Sequence, residues 1–130
     1  MIVDSSAIIA VLRNEPDASA ISEVLQNAPM CRISAVTFVE AAVVTDSNRS
    51  PVLSRRFDDL LRYARIQIES VTPRQAQIAR EAYRDFGKGR HKAGLNFGDC
   101  FAYALAKELD EPLLFKGEDF RHTDVSVAKH

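Results

Sequence analysis

Short apolar strands alternating with amphipathic helices predict an α/β fold. The expected form is a three-layer sandwich whose central, mainly parallel sheet is flanked by helices, built from one domain over residues 1–130. Three observations carry that expectation. Ile2-Val3 is apolar at successive positions, as in a central strand covered on both faces. Leu113-Leu114-Phe115 repeats the pattern near the other end. Between them the apolar residues fall at helical spacing, most clearly in Phe97, Phe101, Leu105 and Leu109, which recur every four residues.

The elements follow in order. Residues 1–4 read as the first strand, and Ser5 to Arg13 as a helix carrying Ala7, Ile8, Ala10, Val11 and Leu12. Asn14-Glu15-Pro16 breaks it, and Asp17 is placed to cap a helix over about Ala18 to Gln26. Met30 to Ile33 reads as the second strand, and Ser34 or Thr37 caps the helix that carries Glu40. The segment 46–51 is loop-like. The next helix sets Val52, Leu53, Phe57, Leu60, Leu61 and Ala64 on one side and its arginines largely elsewhere. Residues 66–71 alternate with period two, which predicts a strand with one exposed face. Pro73 suits the first turn of a helix reaching Phe86. Residues 87–94 form a glycine-rich basic loop, expected to be flexible, and Asn96 caps the helix beyond it. Leu113 to Phe115 gives a fourth strand and Asp124 to Ala128 a short fifth.

The composition is that of a globular domain, with 46% hydrophobic and 27% charged residues. No apolar run approaches a membrane span. Asp4 and Glu15 interrupt any leader-like apolar stretch, and Cys31 and Cys100 suit a reducing compartment, so a cytoplasmic location is expected. The net charge of −1 hides an uneven distribution: residues 49–92 hold 11 of the 17 lysines and arginines but only 5 of the 18 acids. A basic middle between acidic ends fits an anionic partner held beside a cation site; the competing reading is solvated helix faces.

The acids stand in unusual places. Asp4 ends the first strand, Glu40 interrupts an apolar helical run, and Glu118 and Asp119 follow the strand at 113–115. Asp99 lies three residues after Asn96, a capping-box spacing, and by itself reads as a helix-start residue. Together they read differently. A buried lone carboxylate is costly, and clustered carboxylates supply the oxygen ligands that Mg²⁺ and Mn²⁺ prefer. Parallel strands bring their carboxyl ends to one edge, so acids far apart in sequence can share a pocket.

Several chemistries are excluded or left without support. No glycine-rich loop ends in Lys-Ser or Lys-Thr, and there is no G-x-S-x-G elbow. His91, His122 and His130 have no zinc spacing with the cysteines, and nothing requires two histidines to meet. A haloacid-type phosphatase needs a second Asp two residues after the first, where this chain has Ser6. A phospho-receiver domain needs adjacent acids after its first strand and an Asp after its third, where Val71-Thr72 stands. What remains is metal-dependent phosphodiester hydrolysis, with the basic middle holding a nucleic-acid backbone.

Four stretches resemble one family. They are Met1 to Ala7 with its Asp4, Glu40, the run from Tyr83 to Cys100 containing Leu95-Asn96-Phe97-Gly98-Asp99, and Leu113 to Phe120. The chain resembles PIN-domain ribonucleases over nearly its whole length, and more narrowly the VapC toxins of bacterial type II toxin–antitoxin modules. That resemblance implies a Mg²⁺- or Mn²⁺-dependent endoribonuclease, inhibited by a VapB-like antitoxin and dimeric. It implies that Asp4, Glu40 and Asp99 bind metal, with Ser6 lining the pocket. The family often has an acid three residues before its last Phe, where Gly117 stands here; Glu118 is the first choice for the fourth acid and Asp119 the second. Lys88, Arg90 and Lys92 are the expected RNA contacts. The alternative is a catalytically silent binding module whose acidic pocket only engages a basic partner tail.

Overall fold

A computed structural model describes all of residues 1–130. In chain order the elements are β1 (Ile2–Val3), α1 (Ser5–Leu12), α2 (Ala18–Asn27), β2 (Cys31–Ser34), α3 (Ala35–Asp46), α4 (Pro51–Tyr63), β3 (Ile66–Glu69), α5 (Pro73–Phe86), α6 (Phe97–Leu109) and β4 (Leu113–Leu114), followed by a 3-10 turn at Asp119–His122. The strands form one parallel sheet in the order β3-β2-β1-β4. Ile2 is in register with both Arg32 and Leu113, and Val3 with Leu114. The chain thus runs from β1 outward to β3, then crosses to the far side of β1. The reversal lies between β1 and β4, and in such a sheet the crevice outside the strands' carboxyl ends at that point is where ligands bind. Asp4 stands there.

The pleat divides the core in two. Ile2 and Leu113 point into the layer of α5 and α6, with Ala79, Ala82, Leu95, Tyr103 and Leu105. Val3, Leu114, Cys31 and Ile33 point into the layer of α1 to α4, with Ile8, Ile21, Leu25 and Phe57. Ile2, Val3, Leu113 and Leu114 have no exposure at all, and side chains of this size each stabilise by roughly 1.5–3 kcal/mol when fully buried. Cys31 and Cys100 are buried free thiols.

The local expectations hold with five corrections. β2 is displaced by one residue, and Ser34 rather than Thr37 caps α3, its hydroxyl accepting from the Val36 N–H at 3.3 Å. Asp17 precedes α2 without capping it, because its carboxylate turns to Lys116 at 3.2 Å instead. β3 ends at Glu69, two residues early, and Ile68 on this edge strand stays 51% exposed. The fifth strand is reduced to a single bridge between Val127 and Leu113. Asp124 explains that loss: it accepts from the Tyr103 hydroxyl at 2.5 Å and Lys107 at 3.1 Å, so its segment is tied to α6. The basic loop, expected to be flexible, is laced shut by hydrogen bonds from Lys88 N–H to Leu95 and from Leu95 N–H to Phe86, both at 2.9 Å, with Ala93 and Leu95 fully buried beneath it.

Candidate active site

Asp4 caps α1 as β1 ends, and only 2% of it is exposed. Its Oδ2 accepts from the Ser6 backbone N–H at 3.1 Å and the Ser6 hydroxyl at 2.7 Å. The same hydroxyl accepts from the Lys116 N–H at 3.0 Å, so Ser6 joins the ends of β1 and β4 while orienting Asp4. Asp4 Oδ1 is buried and has no hydrogen-bond partner. Burial holds the Asp4 pKa above its ordinary value; the Ser6 bonds oppose that shift and the Glu40 charge adds to it.

Glu40 reaches the same crevice from α3. Its Oε1 accepts from the Ser5 hydroxyl at 2.9 Å. Its carboxylate lies against the first turn of α6, where Gly98 leaves room for it: a Cβ on Gly98 would sit 2.0 Å from Glu40 Oε2. Glycine inside a helix costs about 1 kcal/mol relative to alanine, and here the missing side chain is what admits the acid.

Asp99 sits at the third position of α6 in a complete capping box. Its N–H donates to the Asn96 side chain at 2.9 Å, and its Oδ2 accepts from the Asn96 N–H at 3.0 Å. The helix start therefore aims the acid. Burial pushes its pKa up to about 7; the Asn96 N–H pulls the other way, and the charges of Asp4, Glu40 and Asp119 add to the rise. Acids from four separate stretches of chain thus share one field.

The two candidates for the fourth acid, Glu118 and Asp119, differ in their partners. Glu118 has a side chain 76% exposed and pairs with Arg121 at 3.7 Å. Asp119, one residue on and also exposed, is among the acids whose charge raises the Asp99 pKa. Gly117, at φ +103°, turns the chain between β4 and this segment. Ser5 and Gly98 were not singled out from sequence, although a glycine in the first turn of a helix, beside an acid, was the signal available for the second.

The donor set suits a hard divalent cation. It is all carboxylate, with one buried Asp4 oxygen left partnerless and the Glu40 carboxylate admitted by the bare Cα of Gly98. No three of these side chains stand in ready-made ligating geometry. Each of Asp4, Glu40 and Asp99 has one oxygen committed to a local donor. Mg²⁺ commonly takes one or two carboxylates and keeps several waters, so a fully closed cage is not required.

The three basic loop residues are all exposed. Lys88 and Arg90 line a groove between α5 and α6, and Lys92 does not. Lys116, next to the crevice, is engaged by Glu15 and Asp17. No helix is long and apolar enough to cross a membrane.

Residues 1–126 match the PIN domain family. The chain is 56% identical to ribonuclease VapC28 of Mycobacterium tuberculosis over 129 residues, covering 98% of this chain and 97% of that one. Among solved structures it resembles VapC20 of M. tuberculosis, described as a sarcin-ricin loop cleaving toxin, with TM-score 0.76, 14% identity and coverage of 99% and 98%. It also resembles a chain of a toxin–antitoxin complex from Klebsiella pneumoniae, with TM-score 0.73, 16% identity and coverage of 98% and 95%.

Proposed function

The chain belongs to the PIN-domain family, and from that premise we propose that it is the RNA-cleaving toxin of a VapBC-type toxin–antitoxin pair, a hydrolase that depends on Mg²⁺ or Mn²⁺. The observation that carries the chemistry is the shared acidic crevice: buried Asp4 with a free oxygen, beside Glu40 and an Asp99 pushed up to about 7.

Asp4, Glu40 and Asp99 are the residues that would hold the ion, with Asp119 completing the set. Bound there, a divalent cation supplies a water of lowered pKa and positive charge for the phosphate oxygens. The protein's part is placement. Ser6 fixes the Asp4 rotamer, Ser5 fixes Glu40, and the Asn96 box fixes Asp99. Hydrolysis adds water across the P–O3′ bond and leaves a 5′-phosphate and a 3′-hydroxyl. It uses neither the ribose 2′-hydroxyl nor a histidine pair.

The test is cleavage of total RNA with mapped ends. Mg²⁺ or Mn²⁺ should support it, EDTA should abolish it, and Asp4→Asn should remove it. Undiminished cleavage in EDTA, or 2′,3′-cyclic ends, overturns the reading.

The antitoxin belongs to the same proposal. The crevice is acidic, and an arginine offered by a partner would pair with its carboxylates. Outside it, α3 presents Val39 and Val43, 55% and 60% exposed and one turn apart, to which an amphipathic helix can dock. A homodimer, which the family implies, is checked by sedimentation equilibrium. Tail engagement alone, without catalysis, predicts partner binding and no metal-dependent cleavage.

A further inference from the structure

The groove between α5 and α6 encloses about 890 Å³ and is apart from the acidic crevice, though it reaches Asn96 at the start of α6. Asn96 is the residue whose N–H holds the Asp99 carboxylate, so the groove leads to the site. Its charged lining is of one sign: Arg80, Arg84, Lys88 and Arg90, with no acid. None of the four is in an ion pair.

Between the cations stand aromatic rings. Phe97 is 73% exposed, unusual for a phenylalanine, with its ring centroid 5.0 Å from that of Phe101 at 59°. Tyr83 is 41% exposed and carries the Arg90 guanidinium 5.5 Å from its ring centroid. Phe97 is the first residue of α6, so its ring stands at the helix end on a backbone already fixed by the capping box.

We infer that this groove is a subsite for unpaired RNA: at least one base of the strand beside the scissile phosphate stacks on Phe97, and its flanking phosphates run along Arg80, Arg84 and Arg90. The inference rests on the ribonuclease reading and adds to it the place where the strand is held and the ring that takes a base. Its chemistry is that of single-strand binding, cations that follow the backbone and rings that take any base face. A duplex does not fit, because paired bases keep their faces stacked on one another. A second copy of the chain is the competing occupant, and the dimer measurement below distinguishes it.

The experiment is done in EDTA, so that binding is read without cleavage. The probe is a short single-stranded RNA carrying one 2-aminopurine, whose fluorescence falls when the base stacks on a ring. Wild-type protein should quench it. Phe97→Leu, an exposed change expected to leave the melting temperature unaltered, should abolish the quenching and weaken binding about five- to hundredfold. Phe97→Tyr should restore both. Arg84→Gln should lower the salt slope of binding by about 0.7. The same sequence as a duplex should bind more weakly and without quenching.

Unchanged affinity and quenching in Phe97→Leu overturns the subsite. So does equal binding of the duplex, or a dimer that dissociates when Phe97 is replaced while RNA affinity is unaltered. Cleavage with an inert Phe97 defeats this inference and leaves the enzyme standing. Stacking without metal-dependent cleavage does the reverse.

Discussion

At the scale of single residues, the site depends on one missing side chain and on one choice between neighbouring acids. A Cβ at position 98 would overlap Glu40 Oε2, so Gly98→Ala must displace Glu40 or the helix start. Alanine is the better helix former by about 1 kcal/mol, which offsets part of the strain. The variant is therefore expected to fold, melt within a few degrees of wild type, and lose at least about tenfold in cleavage rate, since a small misplacement of a reacting group costs that much or more. Full activity would show that Glu40 is not positioned by this contact. Asp119→Asn should also reduce cleavage, whereas Glu118→Gln should leave it near wild type, because Glu118 points to solvent and Arg121. The opposite ranking would restore Glu118 as the fourth acid.

At the scale of an element, the start of α6 serves stability and chemistry in opposite directions. The capping box stabilises the helix, yet it holds Asp99 in a field of burial and like charge that favours its protonated form. Between its ordinary value of 3.8 and about 7, the folded protein binds this proton more tightly than the unfolded chain does. Linkage then makes stability fall as pH rises through that window. In EDTA, the wild-type melting temperature should decline from pH 4 to 8. Asp99→Asn, which keeps the cap acceptor and removes the charge, should show a flatter profile and melt no lower than wild type at pH 8. It should cleave no RNA. Mg²⁺ at pH 8 should raise the wild-type melting temperature, since a ligand of the folded state stabilises it, and raise that of the variant much less. If Asp99 were only a helix-start residue, the variant would cleave normally and respond to Mg²⁺ as wild type does.

At the scale of the whole molecule, the topology separates three surfaces. The crevice lies where the strand order reverses, the basic groove lies on the α5–α6 layer, and the exposed valines lie on α3 in the opposite layer. An antitoxin helix docked on Val39 and Val43 would cover a face of α3 next to the one that carries Glu40 into the crevice. Val39→Ser and Val43→Ser together, which remove the apolar contact without adding charge beside Glu40, are expected to weaken antitoxin binding at least tenfold in a titration while RNA cleavage in vitro is retained. Cells expressing the variant with the antitoxin should then stop growing, as they should with the wild-type chain expressed alone. Intact antitoxin binding would place the partner on another face.

The sequence by itself determined the layered α/β architecture, the central first strand, the helix cap at Asn96 and the start of α5 at Pro73, because strand and helix periods and cap chemistry are local. Ile2-Val3 had to be central, since both side chains are apolar and neither could face water. Tertiary structure alone decided what depends on contacts across the chain. Asp17 left its cap for Lys116, more than ninety residues away in sequence. Asp124 tied the would-be fifth strand to α6. Glu118 and Asp119 are adjacent exposed acids of nearly equal chemistry, and only the turn after Gly117 set the first beside Arg121 and the second within the field of Asp99. Gly98 gained its meaning from Glu40, fifty-eight residues earlier. A residue's own neighbours in sequence set its backbone; which charge or cavity its side chain meets is set by the fold, and the active site is made of those meetings.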